Sequence, residues 1–326
     1  MRILVTGGAG FIGSHLAQAL LERGDEVVAI DDLSTGSLEN IAHLFNNARF
    51  SFVESDIRNA AALNSAMSGC DRAVHLAARI GLKIIVESPL ETIRVNAGGT
   101  EVVLDAASRH GVPVLVASTS EVYGLSTRIP SAESDPICFG SPAVGRWSYA
   151  CAKAFDEFYA LALHRERGLT SVVIRLFNTV GPRQTGRYGM VIPRLVSQAL
   201  MGEPLTVYGD GTQTRCFCSV DDVTHVLVYL IERAGEFAGE VFNIGNPQET
   251  SILALAERVI ELTGSSSPIS FVPFDVVYPD GFEEIQRRVP DITKARKRLG
   301  FRPQASLDDV LISVIDGVKK RKELVG

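Results

Sequence analysis

The first 31 residues constrain this chain more than any other stretch. An apolar run, Ile3-Leu4-Val5, breaks into Thr6-Gly7-Gly8-Ala9-Gly10, and apolar residues then recur with helical spacing at Phe11, Ile12, Leu16, Ala19 and Leu20. A second apolar run, Val27 to Ile30, ends on Asp31-Asp32. Strand, glycine turn, helix, strand and acid in this order form the unit that binds a dinucleotide. Gly7 permits the sharp turn, Gly10 lets backbone N–H groups approach a pyrophosphate, and Gly13 lets helix and strand pack closely. The start of the helix aims its unsatisfied N–H groups and the positive end of its dipole at the diphosphate. Asp31 stands where a carboxylate accepts hydrogen bonds from a ribose diol and repels a 2′-phosphate, which predicts NAD rather than NADP.

At 326 residues the chain suits one large or two modest domains, with apolar residues enough for a full core. A net charge of −6 and the lack of a lysine/arginine-dense stretch argue against nucleic acid as a partner. The basic tail Lys319-Lys320-Arg321-Lys322 reads as solvating the last helix. Nothing reads as a membrane span, and a core strand at the N-terminus leaves no room for a signal peptide, so a cytoplasmic protein is expected. Five scattered cysteines, with Cys216-Phe217-Cys218 as the one close pair, complete no metal site and suit reduced thiols.

Phe50 to Val53 reads as a third strand with Asp56-Ile57 behind it. An acid there accepts from an adenine amino group or caps the next helix, Asn59 to Met67. Ala73-Val74-His75-Leu76-Ala77-Ala78 reads as a buried strand whose small end suits close approach of a cofactor, and His75 within it as a satisfied core residue. A long helix is expected from Glu91 to His110, with Asn96 inside it in a packing or hydrogen-bonding role. Val112 to Ala117 is apolar throughout, as in a parallel sheet covered on both faces, and runs into Thr119-Ser120-Glu121. Ligands bind at such carboxyl-terminal strand ends.

A proline- and glycine-rich loop then leads to Tyr149-Ala150-Cys151-Ala152-Lys153. Tyr149 and Lys153 stand one helical turn apart and share a face. An ammonium beside a phenol favours phenolate and prepares the tyrosine as a base. Further strands are expected at 171–177 and 240–244, and helices at 190–201, 252–263, 292–299 and 307–320. The fold class expected is α/β: a doubly wound parallel Rossmann sheet with a smaller, interleaved C-terminal α/β part that binds substrate. Residues 1–179, with 218–245 returning, are assigned to the cofactor, and 180–217 with 246–326 to the substrate.

The glycine turn, Asp31, Thr119, the Tyr149/Lys153 pair, Phe177-Asn178-Thr179-Val180-Gly181-Pro182-Arg183, Leu205-Thr206-Val207-Tyr208-Gly209 and Arg215 together span essentially the whole chain. In this combination they resemble the extended short-chain dehydrogenase/reductase family acting on nucleotide sugars. The resemblance implies that Thr119 and Tyr149 contact the sugar's 4-hydroxyl and that Lys153 binds the nicotinamide ribose. It implies further cofactor contacts from Gly7, Gly10, Phe11, Ile12, Gly13, Asp31, Asp32, Asp56, Ile57, Leu76, Ala77, Ala78 and Asn96. Asn178, Arg215 and Arg288 would hold the diphosphate, whose oxygens match the planar fork of arginine. Thr206, Val207 and Tyr208 would cradle the base, and Lys83, Arg183 and Val191 complete the substrate set. A homodimer through the helices 91–110 and 150–167 is also implied.

Within that family, Thr119-Ser120-Glu121-Val122-Tyr123-Gly124 with Arg287-Arg288-Val289-Pro290-Asp291-Ile292 resembles UDP-glucuronic acid decarboxylases. Ser120 would then hydrogen-bond the C6 carboxylate, with Glu121 and Arg288 as further catalytic groups. Ser120 stands where a 4,6-dehydratase carries aspartate, which counts against dehydration. Glu121 is expected either to repel the substrate carboxylate and destabilise it, or to act protonated or through a water. The alternatives are a UDP-glucuronic acid or UDP-hexose 4-epimerase, and a non-catalytic protein that binds NAD or a nucleotide sugar. The intact Tyr149/Lys153 pair speaks against the last.

Overall fold

The computed structural model describes residues 1–186, 189–278 and 283–323, the side chains of 322 and 323 excepted. The Lys322 side chain of the basic tail, and 187–188, 279–282 and 324–326 of the expected substrate part, therefore lie outside the described residues. The first half runs β1 (Arg2–Thr6), α1 (Phe11–Arg23), β2 (Glu26–Asp31), β3 (Phe50–Glu54), α2 (Ala60–Met67), β4 (Arg72–His75), α3 (Leu82–Glu87), α4 (Pro89–Ile93), α5 (Gly99–His110), β5 (Val114–Thr119) and α6 (Trp147–Arg167). Next come β6 (Ser171–Leu176), β7 (Thr179–Val180), α7 (Val191–Met201), β8 (Leu205–Tyr208), β9 (Thr214–Cys216), β10 (Cys218–Ser219) and α8 (Val220–Glu232). The rest is β11 (Val241–Ile244), β12 (Glu249–Ser251), α9 (Ile252–Thr263), β13 (Ile269–Val272), α10 (Phe274–Val277), α11 (Thr293–Leu299) and α12 (Leu307–Glu323).

Seven parallel strands form the main sheet in the order β3-β2-β1-β4-β5-β6-β11. The strand order reverses direction between β1 and β4, and open α/β sheets bind ligands at that point. Thr6 pairs with Ile30 of β2 and with His75 of β4, so the glycine turn leaves the sheet at this crevice. The central strands are apolar because helices cover both faces: β5 is buried along its whole length. On one face Leu16 and Leu20 of α1 meet Val223 and Leu227 of α8. On the other, Leu63 and Met67 of α2 meet Val103 and Leu104 of α5 and Leu163 of α6.

A separate cluster holds Leu195 and Val196 of α7, Val207 of β8, Leu255 and Val259 of α9, and Leu311 and Val314 of α12. Helix α11 departs from the sequence-based division. Its Ala295 and Leu299 join the sheet cluster with Phe242 of the edge strand β11, so this piece of 246–326 packs with the cofactor side.

Two local readings also differ. The helix expected over 91–110 is interrupted by a π-turn at Arg94–Gly98 between α4 and α5. Within it, the Asn96 amide donates to Arg79 O at 3.1 Å and accepts from Arg79 N at 2.7 Å. The wider turn sets this polar side chain against the loop after β4, a use such turns commonly serve. Helix α2 is capped by Asn59, whose side chain accepts from Ala62 N at 3.2 Å, which leaves Asp56 to pair with Arg58.

Candidate active site

A cavity of about 500 Å³ runs along the crevice from the glycine turn to Tyr208. Gly7 turns with φ +71°, and a Cβ on Gly13 would stand 2.1 Å from the Gly7 carbonyl oxygen, so helix and turn approach as only glycine permits. No side chain caps the start of α1 and no acid lies in its first turn. Its N–H groups are thus left for an anion in the cavity, as a dinucleotide's diphosphate requires. Asp31 is buried, its carboxylate accepting from Ala9 N at 3.0 Å and Leu33 N at 2.8 Å. Burial raises its pKa, and these backbone donors oppose the shift. These features fit a dinucleotide, with Phe11, Ile12, Asp32, Asp56, Ile57, Leu76, Ala77 and Ala78 also on the wall.

At the other end of the sheet edge, β5 delivers Thr119 and a short turn carries Ser120 and Glu121. The Thr119 hydroxyl accepts from Glu121 N at 3.2 Å and stands beside the Tyr149 phenol. Helix α6 brings Tyr149 and Lys153 to the same wall, both buried. Their relation differs from the sequence-based expectation. Lys153 Nζ donates to Ala117 O at 2.9 Å and to the Asp156 carboxylate at 3.0 Å. Tyr149, far from having a depressed pKa, is pushed well above the ordinary phenol value, by burial first and then by the charge of Glu121, with the Thr119 hydrogen bond pulling down. In the chain by itself the ammonium is compensated and the phenol keeps its proton.

Glu121 sits between two guanidinium groups, 2.6 Å from Arg288 Nη2 and 3.3 Å from Arg146 Nη2. Burial opposes ionisation, but Arg288 and Arg146 outweigh it and hold the carboxyl down at about 2. With both guanidinium groups against it, Glu121 is held towards its ionised form. The repulsion expected of it is also blunted, since two cations flank one anion. Arg288 Nη1 donates to Ser120 Oγ at 3.4 Å, so Ser120, Glu121 and Arg288 form one cluster. Arg215 lines the same cavity but pairs with Glu284 and donates to Thr214 O at 2.8 Å. Burial lowers its pKa.

Asn178, Arg183, Val191 and Tyr208 line the cavity as well. Arg183 points toward Gln18 of α1 and His43, at the cofactor end and away from Arg215. Four residues of the expected set do not line it. Lys83 is exposed, and Asn96 is spent on the Arg79 backbone. Val207 is fully buried in the third cluster, because a strand alternates its faces and Val207 points opposite to Tyr208, while Thr206, on the same face as Tyr208, is taken up by Gln198. His75 bridges the hydroxyls of Thr6 and Thr100 at 2.8 and 2.9 Å, a core residue whose pKa burial lowers to about 3.

Sequence reasoning passed over Arg146, Arg194, Tyr278 and Glu284, all on the cavity wall. Arg146 had a signal: it lies three residues before Tyr149 at a helix start and so shares its face. Arg194 had a similar one, since it falls on the first turn of α7 beside Val191. Its guanidinium stacks on Tyr208, 3.9 Å from the ring centre. Tyr278 and Glu284 are brought in by long-range folding and no local pattern marks them.

The comparisons agree with this geometry. Residues 4–314 match the family described as GDP-mannose 4,6 dehydratase. A UDP-N-acetyl-alpha-D-glucosaminuronate decarboxylase of Bacillus cytotoxicus is 40% identical, over 96% of this chain and 96% of that one. UDP-glucuronic acid decarboxylase 1 of Arabidopsis thaliana is 38% identical, over 98% of this chain and 70% of the relative. A UDP-glucuronic acid 4-epimerase from Bacillus cereus, solved with UDP-glucuronic acid and NAD, superimposes with a TM-score of 0.88 at 34% identity, over 98% and 100% of the two chains. With its parallel Rossmann sheet, its glycine turn and its Thr119–Tyr149–Lys153 group, the chain belongs to the GDP-mannose 4,6 dehydratase family of extended short-chain dehydrogenase/reductase enzymes.

Proposed function

We propose that the chain is an NAD-dependent decarboxylase of a UDP-linked uronic acid, UDP-glucuronic acid in the first place, acting through a 4-keto intermediate. The observation that carries this reading is the Arg146–Glu121–Arg288 cluster at Ser120, next to Thr119 and Tyr149. Arg146, Arg215 and Arg288 stand there against the carboxylates of Glu121 and Glu284, which leaves that corner net positive. A substrate carboxylate beside the carbon being oxidised suits it. The decarboxylase relatives support the same reading.

NAD supplies the hydride acceptor at C4. Tyr149 takes the 4-hydroxyl proton while Thr119 orients that hydroxyl. The ketone stands β to the C6 carboxylate, so the C5–C6 bond breaks, its electron pair moves into the carbonyl and carbon dioxide leaves. A proton then returns to C5. Ser120 and Arg288 hold the carboxylate, while ionised Glu121 fixes Arg288 and Arg146 in place, and positioning does most of the work. Arg215 and Asn178 hold the diphosphate, which displaces Glu284 from Arg215. Tyr208, stacked by Arg194, receives the base.

Residues 1–179, with 218–245 and α11, form the cofactor part, and 180–217 with most of 246–323 the substrate part. Phe155 and Phe158 of α6, with Leu90 and Ile93 of α4, are exposed apolar residues that pair two copies into a homodimer. Among the described residues no helix is long and apolar enough to cross a membrane, and five free cysteines suit a reducing, cytoplasmic setting.

The Bacillus cereus neighbour keeps a second reading in view, 4-epimerisation of the same substrate. Incubation with UDP-glucuronic acid and NAD separates them. A nucleotide product lighter by carbon dioxide supports decarboxylation, and an unchanged mass with inverted C4 establishes the epimerase.

A further inference from the structure

Five charged side chains stand in a row on one wall of the cavity: Arg215, Glu284, Arg146, Glu121 and Arg288. Their signs alternate, and each meets the next. Glu284 pairs with Arg215 and lies 3.9 Å from Arg146 Nη1. Glu121 lies 3.3 Å from Arg146 Nη2 and 2.6 Å from Arg288 Nη2. Arg146, at the centre, has a side chain 3% exposed, so a charge moved on one side of it is felt on the other with little screening. The two ends of the row are the arginines assigned above to the diphosphate and to the substrate carboxylate.

The backbone on either side of Glu284 is pinned. Arg146 donates to the Glu283 carbonyl, and Trp147 Nε1 donates to the Glu283 carboxylate at 2.7 Å. Ile285 is buried with Trp147 and Ala150, and Gln286 O accepts from Thr214 N at 2.9 Å. A diphosphate arriving at Arg215 therefore displaces a side chain rather than a loop. Arg146 is a second cation within reach of that side chain.

We propose that Glu284 is a positioning residue that couples the two ends of the row: the diphosphate moves its carboxylate from Arg215 onto Arg146, Arg146 then holds Glu121 less, and Glu121 leans more fully on Arg288. Arg288 is left with less charge for the substrate carboxylate. Binding energy from the diphosphate, remote from the reacting carbon, thus goes into loosening the ionic hold on a group that leaves as neutral carbon dioxide. The inference deepens the decarboxylase reading above and rests on where that reading places the diphosphate and the carboxylate.

The test loads the protein with NADH, which cannot oxidise the sugar, and titrates it by calorimetry with UDP, UDP-glucose and UDP-glucuronic acid. Glu284→Gln removes the charge and keeps the shape, and Glu284→Ser serves in its place should that variant not fold. UDP should bind the charge-free variant about tenfold tighter than the wild type, because no internal anion holds Arg215. The preference for UDP-glucuronic acid over UDP-glucose should rise about fivefold, because Arg288 keeps its charge for the carboxylate. Glu284→Asp, which keeps the charge, should bind UDP as the wild type does. In turnover with NAD and UDP-glucuronic acid, KM and kcat for carbon dioxide release should fall together in Glu284→Gln, as when ground-state strain is removed. UDP affinity unchanged or weakened, a preference between the two sugars that does not move, or a raised KM overturns the proposal. A wild type that releases no carbon dioxide would instead overturn the decarboxylase reading, while the binding measurements still decide the coupling.

Discussion

The carboxylate of Glu121 meets the guanidinium of Arg288 at 2.6 Å, and Arg288 reaches on to the hydroxyl of Ser120. Glu121→Gln keeps a hydrogen-bonding group but strands two buried arginines without their anion. The rate of carbon dioxide release should fall roughly tenfold to a hundredfold as Arg288 loses its anchor. Stability should drop by about 1–3 kcal/mol, read from the denaturant midpoint. Wild-type rates for both NADH formation and carbon dioxide release would contradict the role given to Glu121.

The same ion pair makes a prediction about pH. Glu121 is depressed from 4.5 to about 2 in the fold, so its stabilising contribution is fully present above about 4.5 and is lost as pH falls through about 2. The stability gap between wild type and Glu121→Gln should be flat from pH 5 to 8 and shrink below ~4.5. A gap that widens on acidification would show that Glu121 is protonated in the native site.

Tyr149→Phe removes one hydroxyl and adds no volume, so the fold and nucleotide-sugar affinity should survive. Turnover should fall by ~10²–10⁴. Calorimetric titration with UDP-glucuronic acid beside a rate assay checks both halves. Wild-type turnover would place the base elsewhere.

Much of this site was legible because its carriers are local patterns. The turn from Gly7 to Gly13 and the acid at Asp31 need only thirty residues of sequence, and the Tyr149/Lys153 spacing needs only one helical turn. What escaped was set by partners distant in sequence. Lys153 was expected to act on the phenol, yet its charge is taken by Asp156, three residues on, whose burial depends on α5 packing over α6. The charge state of Glu121 depends on Arg288, 167 residues later. The break at Asn96 follows from a bond to Arg79 across the cleft edge, which helix propensity does not encode.

Gly13→Ala should abolish NAD binding, since the added methyl would lie 2.1 Å from the Gly7 carbonyl oxygen and force helix α1 off the turn. Equilibrium dialysis with NAD measures it. An unchanged dissociation constant would show that the diphosphate does not lie on this turn.

Phe158 is 63% exposed on α6, so Phe158→Asp places a charge on the proposed pairing face without touching the core. Sedimentation should show a dimer for the wild type and a monomer for the variant. A wild-type monomer at all concentrations would remove the dimer from the account.

The most direct measurement follows the fate of C6. UDP-glucuronic acid labelled with carbon-13 at C6 is incubated with the purified protein and NAD, and released carbon dioxide is read by mass spectrometry against the remaining nucleotide sugar. The label is expected in carbon dioxide, with a UDP-pentose or its 4-ketone as the nucleotide product. Label retained entirely in UDP-galacturonic acid would contradict it and assign the Arg146–Glu121–Arg288 cluster to holding the carboxylate during epimerisation.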